Sequence, residues 1–289
     1  MAAVTGPARE MTQRPPDRML VLDFSGTLSL EAALYAREEN LRRALEESGL
    51  WRMGVDSLAI FWDGIVNPTW QEGSTTGKGY TRLLFEQVRQ IAASRGLEIP
   101  EADIWASAAR FVEGYLHHSA IDPAWRPVLH RLLRHPGLVV VVATDHYAEA
   151  TGHILSQLRA LGLEGSPVLQ GGTHRVLVAN SADLGAPKAS EAFWTAVQRA
   201  RGLRSLAQIL VVDDLGFHEQ AQDAYRQQEK IARRQRDMVQ VLSAVFAAPT
   251  RIFPFLLKEP TGAPLTGEEA LRHEYRELIR QAGRFAASA

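Results

Sequence analysis

Arg18-Met19-Leu20-Val21-Leu22-Asp23-Phe24-Ser25-Gly26-Thr27-Leu28 is the stretch on which the reading of the whole chain turns. An apolar run of strand type reaches an aspartate, and a Ser-Gly-Thr turn follows. A carboxylate at the C-terminal end of a buried parallel strand stands where open α/β sheets bind ligands. A buried aspartate there needs a partner, and a metal cation is the usual one. The same carboxylate can serve as a nucleophile. The plainer alternative is a strand running into a turn, with Asp23 only capping the next helix.

Outward from this stretch the hydrophobic period changes to 3.6. Leu30, Leu34, Leu41 and Leu45 recur at helical spacing, and Gly49 closes the pattern. Trp51 to Trp70 is rich in tryptophan, with a turn signal at Asn67-Pro68. Gln71 to Gly79 reads as a polar, glycine-rich loop, followed by helices over Tyr80 to Arg95 and Glu101 to His117. Residues 30–121 therefore read as all helical.

Asp122-Pro123 then opens a helix over Ala124 to Arg134. Leu138 to Ala143 is a continuous apolar, valine-rich run, as in a strand buried on both faces, and it ends at Thr144-Asp145-His146. A helix over Ala148 to Leu161, a strand over Arg175 to Ala179 and a loop over Asn180 to Gly185 follow. Lys188 is read as heading a helix to Arg201. Gln208 to Val212 is another buried strand, ending at Asp213-Asp214. The charge run Gln227 to Asp237 reads as a solvated helix face, Thr250 to Phe253 as an edge strand, and Gly267 to Phe285 as a terminal helix. Strands alternating with helices mean a parallel sheet with right-handed crossovers.

The bulk properties bound the function. A chain of 289 residues buries a full core, and 46% hydrophobic with 22% charged residues is ordinary for a globular protein. A formal charge of -1 gives no bulk attraction to nucleic acid or to an anionic membrane. No apolar run is long enough to span a bilayer. Cysteine is absent, so disulfides, thiolate metal sites and cysteine nucleophiles drop out, and a cytoplasmic location is expected.

Three strands thus end in polar groups, Asp23, Thr144 and the Asp213-Asp214 pair, and Lys188 lies between the last two. In a parallel sheet these ends share one edge, so the groups converge. The ordered set resembles the haloacid dehalogenase superfamily, a large group of aspartyl-phosphate-forming phosphatases and relatives. The first motif is Asp23-Phe24-Ser25-Gly26-Thr27-Leu28 and the second Val142-Ala143-Thr144. The third is Gly185-Ala186-Pro187-Lys188 and the fourth Val211-Val212-Asp213-Asp214-Leu215-Gly216.

The resemblance implies a three-layer, Rossmann-like α/β core, residues 18–29 plus 122–258, with residues 30–121 inserted as a helical cap. Residues 1–17 would be a loose tail and 259–289 a C-terminal helical extension outside the resemblance. It implies Asp23 as nucleophile, with Asp23, Asp214 and the main-chain carbonyl of Ser25 holding one Mg2+. Thr144 and Lys188 would meet the phosphoryl oxygens, and Asp213 would orient Lys188 or a metal-bound water. Ser25, Gly26, Thr27, Asp145 and Lys78 are the expected substrate contacts, Gly26 by bringing main-chain N–H groups toward the phosphate and Lys78 by reaching down from the cap. The implied substrate is a phosphorylated or otherwise anionic small molecule. Neither nucleic acid nor membrane is expected as a partner, and the oligomeric state stays open.

One position departs from the family pattern. Its phosphatases carry a second aspartate two residues after the nucleophile, which protonates the leaving group and then activates water. Here that residue is Ser25, a poor acid and base, and the loss is worth about 10²–10⁴ in rate. A slow phosphatase, a different substitution at carbon or phosphorus, and a binding protein with lapsed catalysis are the three outcomes this leaves. His146 is the candidate for replacing the missing acid; Lys78 reads otherwise as a solvated turn lysine, and Trp51, Trp62 and Trp70 as cap core. His218 reads as an ordinary helix-start residue.

Overall fold

A computed structural model of the chain describes residues 16–217, 224–257 and 267–288. Most of the expected tail, and His218, lie outside the described residues. Six parallel strands form one sheet in the order β3-β4-β2-β1-β5-β6. They are β1 (Arg18–Leu22), β2 (Leu138–Thr144), β3 (Gly165–Pro167), β4 (Val176–Asn180), β5 (Gln208–Asp213) and β6 (Thr250–Pro254). Helices cover both faces. The chain is therefore an α/β protein with the Rossmann-like sheet expected from its apolar runs.

Alternation along the strands divides the core in two. Leu20, Leu22, Val140, Val142, Leu210 and Val212 face one layer, where Trp125, Phe255 and Tyr275 are also buried. Met19, Val21, Val139, Val141, Ile209 and Val211 face the other, against Phe193, Trp194 and Leu242. A side-chain period of two on a sheet covered on both faces requires apolar residues at every position, which is why these strands read as unbroken runs. Each fully buried valine or leucine contributes about 1.5–3 kcal/mol relative to exposure.

A third cluster lies within the helical block, built on Leu41, Leu45, Phe61, Ile65, Leu84, Val88 and Phe111, and it takes in Tyr147 from beyond β2. The helix expected from Leu30 onward is two helices, Leu30–Tyr35 and Glu38–Ser48. The first is capped by Ser29, whose Oγ accepts the Ala32 N–H at 3.1 Å. Asn67-Pro68 is not a turn. It sits in the first turn of the helix Asn67–Thr75, which continues directly from a π-helical turn, Trp62–Val66, so the missing proline N–H falls at the junction between the two. The polar stretch from Gln71 is thus helical as far as Thr75. Lys188 does not head a helix either: the helix is Glu191–Arg201, capped by Ser190, and Lys188 stands in the loop before it. β3 and the short helix Ser181–Leu184 carry no hydrophobic period, and the sequence does not announce them.

Candidate active site

Strand register sets the site. Leu22 pairs with Val142 on one side and Val212 on the other, so Asp23 lies level with Ala143 and Asp213, with Thr144 and Asp214 one residue further along. Asp23 leaves β1 with its N–H donated to the Val212 carbonyl at 3.0 Å. The next residues close into a tight loop. Leu28 N–H returns to the Asp23 carbonyl (3.3 Å), Ser29 N–H to the Phe24 carbonyl (2.9 Å) and Gly26 N–H to the Ser29 carbonyl (2.8 Å). Gly26 turns at φ +78°, where a β-carbon is disfavoured. None of these bonds ends on the Ser25 carbonyl.

Lys188 is the bridging cation. Its Nζ donates to Asp23 Oδ1 at 2.5 Å and to Asp213 Oδ2 at 2.9 Å. Its main chain is held on both sides: the N–H donates to Asp145 Oδ1 at 2.7 Å, and the carbonyl accepts from the buried indole of Trp194 at 2.8 Å. Past β5, Asp213 Oδ1 accepts the Leu215 N–H (2.6 Å) and Asp214 Oδ1 the Gly216 N–H (2.9 Å). Leu215 is strained at φ +55°, and Arg234, from the charge run, donates to its carbonyl at 2.7 Å. That arginine does more than cover a solvated face.

The carboxylate oxygens of Asp23, Asp213 and Asp214 offer one atom each within 4.8 Å of one another, and all three residues are buried. Among the described residues Lys188 bridges two of the three, Asp23 and Asp213. Burial pushes the Asp23 carboxyl well above the usual carboxylate range; Lys188 opposes this, while Asp213 and Asp214 add to it. Burial works against the Lys188 ammonium too, but Asp213, Asp23 and Asp145 outweigh it and the lysine stays charged. The donor set is all oxygen and anionic, so it fits a hard divalent cation. Both oxygens of Asp213 are already bonded within the protein; Asp23 and Asp214, with the Ser25 carbonyl, are the ligands that the resemblance implies. Among the described residues nothing hydrogen-bonds Asp23 Oδ2.

The remaining expected contacts fall differently. Thr144 is buried at the end of β2. Gly26 spends its N–H on Ser29 and has none to offer a phosphate. Thr27 is fully buried: its Oγ1 accepts the Asp214 N–H at 3.1 Å, and its carbonyl accepts from Tyr275 and Trp125. Asp145 engages the Lys188 main chain rather than a bare cleft. Lys78 lies between Glu72 and Glu86, at 3.0 and 2.8 Å, on the helical block.

His146 is not available as a proton carrier. Its Nδ1 accepts the Tyr147 N–H at 2.9 Å, so a neutral ring carries its proton on Nε2, which meets the Tyr115 hydroxyl at 2.7 Å. Burial lowers its pKa to about 4. Residues 146–149 instead join core to cap. Tyr147 stacks on Tyr80 with ring centres 3.9 Å apart, Trp70 meets its edge at 5.5 Å, and Glu149 accepts the N–H groups of Tyr80 and Thr81 at the start of the helix Tyr80–Ser94. The supporting residues Trp125, Trp194, Arg234 and Tyr275 were not singled out from sequence. The usable signal was that a buried indole or phenol must find a partner.

The parallel sheet with Asp23, Thr144 and the Asp213-Asp214 pair at its strand ends is the α/β arrangement that the resemblance implies. No family model and no curated protein matches the chain. Among solved structures it is similar to a 2-haloacid dehalogenase from Pseudomonas syringae pv. Tomato DC3000, at 17% identity and TM-score 0.49 over 93% of this chain and 99% of that one. It is also similar to a predicted HAD-like family hydrolase from Porphyromonas gingivalis, at 14% identity and TM-score 0.40 over 90% and 97% of the two chains. An L-2-haloacid dehalogenase gives 14% identity and TM-score 0.39 over 91% and 99%.

Proposed function

We propose that the protein is a Mg2+-dependent hydrolase that acts on a phosphorylated small molecule through an aspartyl-phosphate at Asp23. The observation that carries this is the buried cluster of Asp23, Asp213 and Asp214 bridged by Lys188. Asp23 Oδ2 attacks phosphorus, the bond from phosphorus to the leaving oxygen breaks, and water later cleaves the acyl phosphate to regenerate the carboxylate. Lys188 and the Thr144 hydroxyl meet the oxygens on which charge gathers. The bound cation supplies Lewis-acid neutralisation of the phosphate. Asp213 holds Lys188 in place.

Ser25 restricts the substrate. No residue at that position protonates the departing oxygen, and His146 is neutral with both nitrogens engaged. Leaving groups that depart without a proton, as from acyl or aryl phosphates, are therefore favoured over alkyl phosphates. In a substrate panel with and without Mg2+, acetyl phosphate and p-nitrophenyl phosphate should turn over and alkyl esters should lag by about 10²-fold or more. Ser25→Asp should narrow that gap, and Asp23→Asn should abolish turnover. Equal rates for aryl and alkyl esters, or turnover that survives Asp23→Asn, would contradict the reading.

The rival reading is attack by Asp23 on carbon with release of halide, which the absence of an aspartate at position 25 leaves open. Halide cleavage makes no use of a divalent cation, whereas this site gathers three buried acids. Halide release from 2-haloacids, unaffected by chelator, would establish the rival.

A further inference from the structure

The C-terminal helix Glu268–Ala287 lies outside the segments that resemble the family, yet it reaches the nucleophile loop. Its Tyr275 is fully buried, and the phenol donates to the Thr27 carbonyl at 2.6 Å. Trp125 Nε1 donates to the same carbonyl at 3.1 Å and lies 3.4 Å from the Tyr275 oxygen. Burial raises the phenol pKa, so the group stays protonated and can donate. Thr27 sits in the loop that begins at Asp23, and its hydroxyl accepts the Asp214 N–H. One residue thus joins the nucleophile loop, the acidic loop and the last helix. A second tie runs from Arg272 to Glu31 at 2.6 Å, on the helix that follows the nucleophile loop.

A helix that only covered the sheet would need apolar residues, and Leu271, Leu278, Ile279 and Ala282 already supply them. A buried phenol adds nothing to such packing that phenylalanine would not. Its hydroxyl donates to one peptide carbonyl and accepts from the Trp125 indole that shares that carbonyl. Two donors on that carbonyl fix the Thr27–Leu28 peptide plane and, with it, the direction of the Thr27 hydroxyl.

We propose that the C-terminal helix is a working part of the active site, with Tyr275 as the positioning residue that fixes Thr27 and, through it, the placement of Asp214 relative to Asp23. The metal-binding part of the test rests on the proposed function; the loop-exchange part does not.

The test compares full-length wild type, Tyr275→Phe and Leu278→Ala. Leu278→Ala weakens the packing of the same helix without touching Thr27. Two quantities are measured: Mn2+ affinity by electron paramagnetic resonance, and amide hydrogen exchange at Gly26, Leu28 and Ser29. Tyr275→Phe should weaken Mn2+ binding by between about twofold and about tenfold, the range for one buried hydrogen bond. It should also speed exchange in the loop. Leu278→Ala should lower the melting temperature more than Tyr275→Phe while leaving both quantities near wild type. Wild-type Mn2+ affinity and wild-type loop exchange in Tyr275→Phe would overturn the proposal. So would equal changes in Leu278→Ala, since the helix would then act by packing alone. If wild type binds no Mn2+, the proposed function fails, and loop exchange decides the role of Tyr275 by itself.

Discussion

His146 shows what burial does to a residue that sequence position alone recommends for chemistry. It follows the strand-end pair Thr144-Asp145, yet its pKa is drawn down to about 4 by loss of solvent. The unfolded chain takes up a proton near pH 6.5, and the fold refuses it until about pH 4. The contribution of His146 is therefore complete above about pH 6.5 and declines as the pH falls through that window. Two and a half pK units correspond to about 3 kcal/mol. His146→Gln, which cannot charge, should show a shallower loss of stability than wild type between pH 6.5 and pH 4 in urea titrations. Parallel curves for the two proteins would show that the ring is charged in the fold.

At the scale of elements, the helix Asn67–Thr75 approaches the core because it carries glycine at position 73. A β-carbon there would come within 2.3 Å of the Tyr147 ring and 2.8 Å of Leu83 Cδ1. Two effects compete in Gly73→Ala. Alanine favours a helix interior by about 1 kcal/mol, while a methyl forced into packed rings costs about 1–3 kcal/mol. The Tyr147 ring lies flat on Tyr80 and has no room to retreat, so the clash should win. Gly73→Ala should lower stability, and in a Tyr147→Ala background the same change should cost less, with only Leu83 left to give way. Additive effects in that double-mutant cycle would mean that the two residues do not meet.

The same element explains what the sequence did and did not disclose. The runs Leu138–Thr144 and Gln208–Asp213 were legible because strands buried on both faces leave no polar interruption. The four polar segments were legible as an ordered set, since each ends an apolar run or opens a loop beside one. The contact of Gly73 with Tyr147 was not, because glycine in a polar stretch reads as a loop whether it serves a turn or a close approach. Tyr275 was hidden for a related reason: a tyrosine on an amphipathic face has the same period whether its hydroxyl meets water or a carbonyl about 250 residues earlier in the chain. Lys188 was found, but its setting was misread, because Ser190 and not the lysine caps the following helix.

At the scale of the whole molecule, the acidic cluster is a cost to folding that a divalent cation would offset. Asp23, Asp213 and Asp214 are buried together, Lys188 bridges Asp23 and Asp213, and burial with the two neighbouring acids raises the Asp23 carboxyl above the usual carboxylate range. A cation that binds only the folded protein stabilises it by about 2.7 kcal/mol at 100 times its dissociation constant. For a chain of 289 residues this corresponds to a rise in melting temperature of about 4–5 °C. A cation binds the carboxylate form and the Asp23 carboxyl is raised, so the rise should grow as the pH increases and shrink in acid. Asp214→Asn should abolish the rise at every pH. Calorimetry of both proteins in Mg2+ and in chelator measures it. A rise that persists in Asp214→Asn would place the cation elsewhere on the molecule, and no rise in wild type at any pH would mean that the cluster holds no cation.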